Sequence, residues 1–123
     1  VDDHIDAILL ASKNSKAGSK YLVGSNNELT NKELVELICK NLDKIKPQKK
    51  PYSSNIVFVE DRPGHDFRYS LDSSLIRKEL AWEEKTKIEV GLKKTIVWYL
   101  NNLDWCERVR YQSGYNGERL GLL

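Results

Sequence analysis

The sequence predicts a small α/β domain of about four helices with two or three short strands. Three observations lead to this class. Several stretches carry apolar residues at helical spacing, two of them open with a helix-capping pattern, and short apolar runs of strand character lie between them. Because helices alternate with strands in a chain of 123 residues, we expect one domain with a thin hydrophobic core.

The composition is that of an ordinary globular protein, with 40% hydrophobic residues, 31% charged residues and a formal net charge of +2. This balance gives no electrostatic reason to expect nucleic acid or a membrane as partner, and no apolar run reaches the length of a membrane span. The amino terminus is acidic, unlike a secretory signal. Cys39 and Cys106 have no metal-ligand spacing around them, so we expect reduced thiols and a cytoplasmic location.

The first half of the chain predicts two helices. Residues 1–14 form an amphipathic pattern whose apolar face consists of Ile5, Ile8 and Leu9. A short strand is expected at residues 20–23, before a glycine. The second helix is the best signalled element, because Thr30 and Glu33 have the spacing of a capping box. Its apolar stripe contains Leu34, Leu37, Ile38, Leu42 and Ile45.

The second half predicts further strands and two more helices. The run I-V-F-V at residues 56–59 is typical of a strand buried on both faces, and residues 68–71 form another extended piece. Asp72 is expected to cap a short helix. A second capping box, Thr86 to Glu89, opens a last long helix with Ile88, Leu92, Ile96, Tyr99 and Leu103 on one face. The tail from residue 111 is expected to be irregular.

The sequence contains no recognisable set of catalytic residues. It has no glycine-rich dinucleotide turn, no phosphate-binding P-loop and no nucleophile elbow. No tyrosine is followed four positions later by a lysine, the spacing that would place both on one helix face. We therefore predict no catalytic residue and no metal site in this chain.

The loop D-R-P-G-H-D at residues 61–66 is the best candidate for binding chemistry. It directly follows a predicted strand, where open α/β sheets place ligand loops. Pro63 and Gly64 favour a tight turn that could bring Arg62 and His65 to one side. A guanidinium beside an imidazole suits a phosphate, since both donate hydrogen bonds. The alternative is a structural turn in which the charged residues pair with their neighbours.

Five stretches together resemble the nucleotide-sugar-modifying members of the extended short-chain dehydrogenase/reductase family. They are V-D-D-H at 1–4, Y-L-V-G at 21–24, D-R-P-G-H-D-x-R-Y at 61–69, W-Y-L at 98–100 and Y-N-G-E-R-L-G at 115–121. The last of them resembles the tail of the dehydratases of this family. The resemblance runs through the whole chain in the same order.

The resemblance implies that residues 1–123 are a C-terminal substrate-binding domain whose N-terminal, NAD-binding Rossmann half is missing. The absence of methionine from the sequence agrees with a partial chain. The implied parent enzyme uses NAD to convert dTDP-glucose to dTDP-4-keto-6-deoxyglucose and water, in deoxysugar synthesis, and forms a homodimer. The chain alone is then expected to bind a dTDP-sugar without transforming it, to carry no cofactor and to be prone to self-association.

The resemblance also assigns the substrate site. Arg62 and His65 are implied to approach the nucleotide diphosphate, and Asn31, at the start of the second helix, to contact the nucleotide portion. For Asn31 the alternative is a polar first-turn residue without a ligand. The full implied set is Asn31, Asp61, Arg62, Pro63, Gly64 and His65. Other readings of the chain are a part of a nucleotide-sugar epimerase or decarboxylase, a stand-alone nucleotide-sugar binding module, and an interaction domain without a ligand.

Overall fold

The computed structural model describes residues 1–61 and 63–115, in which all regular secondary structure is helical. The α-helices are α1 (Asp2–Asn14), α2 (Asn31–Ile45), α3 (Ser74–Leu80), α4 (Ile88–Asn101) and α5 (Leu103–Ser113), with a 3₁₀ helix at Tyr52–Asn55. The chain divides into two compact units. The first contains Val1–Glu28 and Phe67–Ile88, and the second contains the described parts of Leu29–Asp66 and Glu89–Leu123.

The strands predicted at residues 20–23, 56–59 and 68–71 are wrong for the part of the chain that the structure describes, so its fold is helical and not α/β. A strand requires a neighbour that completes its ladder of backbone hydrogen bonds. The I-V-F-V run lacks such a neighbour among the described residues. It was expected to be buried on both faces, but Val57, Phe58 and Val59 are 77%, 79% and 68% exposed. High β-propensity alone therefore leaves this segment irregular.

The ends of two of the predicted strands nevertheless come close together within the first unit, at Gly24 and Leu71. A Cβ atom placed on Gly24 would lie 3.2 Å from the Cβ of Leu71, so the two backbones approach closely there. The buried Ser73 donates a hydrogen bond from its hydroxyl to the carbonyl of Gly24, at 2.8 Å. The Ser73 side chain thus joins these two parts of the chain, in the absence of a ladder of backbone hydrogen bonds between them.

The core of the first unit forms where α1 packs against α3 and the chain that follows it. Its buried residues are Ala7, Ile76 and Trp82, and the partly buried residues around them are Leu10, Tyr21, Val23 and Leu80. The guanidinium of Arg77 lies 5.3 Å from the centre of the Trp82 ring, a cation–π arrangement.

The predicted helix α1 carries its apolar face, but Ile5, Ile8 and Leu9 are not packed into the core of the first unit, since they are 47%, 51% and 51% exposed. The helix instead turns Ala7 toward the core of the first unit. An alanine at a helix contact allows the backbones to approach closely, so the small residue rather than the large ones marks the packed face. The larger side chains form an exposed apolar face.

Two of the predicted capping residues make hydrogen bonds at the starts of α2 and α3. The capping box of α2 is confirmed, since the Thr30 hydroxyl accepts from the Glu33 amide at 3.1 Å and the Glu33 carboxylate accepts from the Thr30 amide at 2.8 Å. Asp72 lies one residue before the cap position of α3, and its carboxylate accepts from the Ser74 amide at 2.9 Å. Both predictions depend only on residues close together in the sequence, and each marks the start of a helix to within one residue.

The predicted last helix is interrupted, so residues 1–61 and 63–115 contain five α-helices where about four were expected. The break lies at Asn102, which has φ −127° and ψ 35°. The side-chain amide of Asn102 donates to the carbonyl of Trp98 at 2.7 Å, and its backbone amide donates to Tyr99 at 3.1 Å. Asparagine competes in this way with helical hydrogen bonding, which explains the end of α4. The rings of Trp98 and Trp105 then meet edge to face, 5.3 Å apart.

The region before α4 is connected to the beginning of α1 by Asp3. Its carboxylate accepts hydrogen bonds from the backbone amides of Lys85, at 3.2 Å, and Thr86, at 3.0 Å. The Trp82 indole also donates to the carbonyl of Asp3 at 3.1 Å. The Thr86 amide therefore has a partner from α1, where the sequence had indicated the Glu89 carboxylate.

These contacts predict a pH dependence. Burial raises the pKa of Asp3, but the amides of Thr86 and Lys85 outweigh it and bring the pKa below the ordinary value of 3.8. Because the pKa is lowered in the folded chain, the stabilisation is present above the ordinary value and is lost as the pH falls through the folded value. Asp3→Asn should therefore lose less stability than the parent chain when the pH is lowered from about 6 to about 3.

Urea unfolding followed by circular dichroism at a series of pH values measures this difference. Asp2→Asn is the control, because Asp2 lies in the same exposed first turn of α1 and is not among the partners of Lys85 and Thr86. The pKa values of Glu28, Glu33, Asp72 and Glu84 are also lowered, so some acid sensitivity should remain in both variants. Identical acid profiles for the two variants would contradict the role given to Asp3.

Candidate functional site

Asn31 is the first residue of α2 and is exposed, as a ligand contact requires. The helix start around it is well ordered by the Thr30–Glu33 capping box. The Thr30 amide, followed by its hydroxyl, lowers the pKa of Glu33, so this carboxylate is charged at neutral pH. A negative charge already lies at the helix start and offsets its positive dipole. The side-chain amide of Asn31 is thus the more suitable donor for an anionic or polar ligand at this end.

The loop at residues 61–66 contains a direct contact between two predicted site residues. The Nδ1 atom of His65 lies 2.8 Å from the Oδ1 atom of Asp61, and the His65 side chain is 26% exposed. A carboxylate bound to one imidazole nitrogen fixes the ring orientation and leaves Nε2 available for a ligand. Asp61 is therefore suited to orient His65.

The turn between these residues depends on Gly64. Its φ of +71° lies in the left-handed region, while an added Cβ would meet no atom within 4 Å. The need for glycine is therefore conformational and not steric. Pro63 precedes it and restricts the backbone on that side. The prediction that this dipeptide forms a tight turn is confirmed.

The six predicted site residues are brought together only in part. Asp61 and His65 are in contact, Pro63 and Gly64 form the turn between them, and Asn31 lies in the same compact unit. Within residues 1–61 and 63–115, no hydrogen bond joins Asn31 to the loop. Arg62 lies outside the described residues, so its placement beside His65 stays a prediction, as do the matches beyond residue 115.

Glu28 was not predicted from the sequence, and its carboxylate contacts Arg68 and Ser70, just after the loop. The Nη2 atom of Arg68 lies 2.5 Å from the Glu28 carboxylate, and the hydroxyl of Ser70 donates to it at 2.7 Å. Arg68, and then Ser70, lower the pKa of Glu28, and Glu28 in turn raises the pKa of Arg68. Glu28 and Arg68 are 40 positions apart, so no local pattern could have paired them.

A cavity of about 530 Å³ lies elsewhere in the second unit, between α2 and the 3₁₀ helix. The buried Cys39 thiol and the apolar Ile56 line it, together with charged residues of α2. None of the five predicted site residues that the structure describes lines this cavity. The sequence resemblance places the nucleotide at the loop and not at this cavity, and we therefore keep the loop as the candidate.

Among the described residues, no group of three histidine, cysteine, aspartate or glutamate side chains is arranged to hold a metal ion. None of the described helices combines the length and the apolar character that crossing a membrane would require.

The comparison with protein families assigns the chain to a class. The family described as GDP-mannose 4,6 dehydratase matches residues 1–95, which include α1, α2, the candidate loop and α3. The chain belongs to this family. The sequence resemblance to nucleotide-sugar-modifying enzymes is thereby confirmed.

Relatives narrow the resemblance to one kind of dehydratase. A probable dTDP-glucose 4,6-dehydratase of Sinorhizobium fredii is 44% identical over 123 residues, which are 100% of this chain and 35% of that protein. A dTDP-glucose 4,6-dehydratase of Escherichia coli is 43% identical over 92% of this chain and 32% of its own length. One of Xanthomonas campestris is 42% identical over 98% of this chain and 35% of its own length. The chain thus spans about a third of the length of these curated relatives.

Proposed function

We propose that this chain is the C-terminal, nucleotide-sugar-binding part of a dTDP-glucose 4,6-dehydratase. The observation that carries the proposal is identity of 44% along the whole chain to a protein of that name, over a span that includes the loop and the helix start of the candidate site. The whole protein would convert dTDP-glucose to dTDP-4-keto-6-deoxyglucose and water. It would act as a homodimer, and the chain by itself would bind the nucleotide sugar without transforming it.

In this proposal the residues of the chain hold the substrate. Arg62 donates to the diphosphate, where a planar guanidinium can bind two oxygens at once. His65, oriented by the contact of its Nδ1 with Asp61, presents Nε2 to the same group. Asn31 donates its side-chain amide to the nucleotide portion. Gly64 supplies the left-handed backbone conformation of the turn, so that Arg62 and His65 can approach one anion.

NAD does not fit this chain. Binding of a dinucleotide requires a glycine-rich turn between a strand and a helix, and the sequence has no such turn. We therefore place no contact with NAD on these residues. In the proposed whole protein the cofactor would be held by other parts of the polypeptide.

Two features bear on partners and location. The exposed face of α1, formed by Ile5, Ile8 and Leu9, is an apolar surface that the proposed whole protein would cover. Self-association of the isolated chain through such surfaces stays a prediction. Cys39 and Cys106 are both free thiols, which supports the proposed cytoplasmic location.

Calorimetric titration of the chain with dTDP, dTDP-glucose and UDP-glucose tests the proposal. We expect the two thymidine nucleotides to bind in preference to the uridine nucleotide. Affinity should be weak, because the chain corresponds to about a third of its relatives. A preference for UDP-glucose would favour an epimerase or decarboxylase. Equal responses to all three, or no response, would remove the nucleotide assignment.

A further inference from the structure

Glu28, Arg68 and Ser70 form a polar cluster in the first unit, next in sequence to both segments of the candidate site. Glu28 precedes Asn31 by three positions, and Arg68 follows His65 by three positions. A chain of three residues spans at most about 10 Å. Fixing Glu28 against Arg68 therefore limits how far Asn31 and His65 can move apart.

The geometry of the cluster is well suited to such a restraint. One carboxylate accepts from a guanidinium at 2.5 Å and from a hydroxyl at 2.7 Å, so it joins the segment leading into α2 to two positions beyond the loop. The side chains of Arg68 and Glu28 are 63% and 45% exposed, and solvent therefore weakens their electrostatic attraction. We therefore expect the cluster to restrain where these chain segments lie more than to stabilise the fold as a whole.

We propose that Glu28 is a positioning residue for the nucleotide site: by binding Arg68 and Ser70 it sets the spacing between Asn31 at the start of α2 and the Asp61–His65 loop. This inference rests on the proposed function, because it is the same nucleotide site that Glu28 serves. Glu28 makes no contact with the ligand in this proposal. By restraining the two segments before the ligand arrives, Glu28 reduces the conformational entropy that they lose on binding.

Binding of dTDP to a set of variants tests this role. Glu28→Gln keeps the shape of the side chain and removes its charge, and it should weaken dTDP binding about threefold to tenfold. The exchanged pair Glu28→Arg with Arg68→Glu should recover most of the lost affinity, since the ion pair is restored with reversed sign. Wild-type affinity in Glu28→Gln, or no recovery in the exchanged pair, would overturn the proposal.

Asp6→Asn is the matched control. Asp6 forms an ion pair with Lys85 at 2.7 Å in the same unit, and its side chain is 47% exposed. Its loss should leave the dTDP affinity unchanged. Thermal unfolding of the two single variants should be alike, so that a difference in binding between them reports on the site and not on stability. Equal weakening of binding in both would contradict the proposal.

Amide hydrogen exchange provides a readout that needs no ligand. The amides of residues 29–31 and 64–66 should exchange faster in Glu28→Gln than in the wild type, and Asp6→Asn should not change them. If the wild-type chain fails to bind dTDP, the proposed function is lost, and the exchange rates still decide whether Glu28 restrains these segments. Unchanged exchange in Glu28→Gln would overturn the positioning role in either case.

Discussion

Replacing Ile76 with alanine should lower the free energy of unfolding by about 2 to 5 kcal/mol, the largest loss of stability that we expect from a single substitution in this chain. Ile76 is 0% exposed and lies in the core of the first unit between Ala7 and Trp82. Removing three carbon atoms there forfeits their burial and leaves a cavity that neighbouring side chains fill only in part. The core is small, so few contacts remain to compensate.

Urea unfolding monitored by tryptophan fluorescence measures this loss, because Trp82 lies in the same core. Leu75→Ala is the control, since Leu75 is the adjacent residue of α3 and is 45% exposed. It should lose much less stability. Ile76→Val removes a single methyl group and should lose about 0.5 to 1.5 kcal/mol, which keeps the test possible if the alanine variant does not fold. Equal losses at positions 75 and 76 would contradict the assignment of this core.

The parts of the fold that the sequence could predict are those that depend on neighbouring residues. The capping box of α2 needs only Thr30 and Glu33, four positions that fold together, and it was predicted correctly. A strand at 56–59 would need a neighbouring strand to pair with, which no local pattern can reveal. The prediction of this strand was wrong. The apolar face of α1 follows from the spacing of Ile5, Ile8 and Leu9, but the burial of Ala7 depends on packing against other parts of the first unit, which spacing does not show.

The same distinction applies to the candidate site. Asp61 and His65 are four positions apart on either side of a proline–glycine turn, so their contact is a short-range one. The Glu28–Arg68 contact spans 40 positions and the Asp3–Thr86 contact spans 83. Such contacts depend on how the helices pack, which composition and periodicity do not determine. The residues proposed to bind could thus be predicted from the sequence, whereas Glu28, the residue proposed to position them, emerged from the structure.

Arg62→Ala should weaken dTDP binding about 10-fold to 100-fold, since hydrogen bonds to charged groups contribute about 1.5 to 3 kcal/mol and tenfold in affinity corresponds to about 1.4 kcal/mol. The dTDP affinity of Arg62→Lys should lie between those of Arg62→Ala and the wild type, because an ammonium keeps the charge but loses the bidentate geometry. Calorimetry with dTDP measures all three proteins under one salt concentration.

Arg108→Ala is the control for this substitution, since it removes an exposed arginine of α5 outside the predicted site. It should leave the affinity close to that of the wild type. A general attraction between a cationic surface and a nucleotide would weaken binding similarly in both variants, whereas a built site loses affinity only at Arg62. An Arg62→Ala chain that binds dTDP as tightly as its parent would exclude the loop as the diphosphate site. Nucleotide binding, if present, would then have to depend on Asn31 and the start of α2.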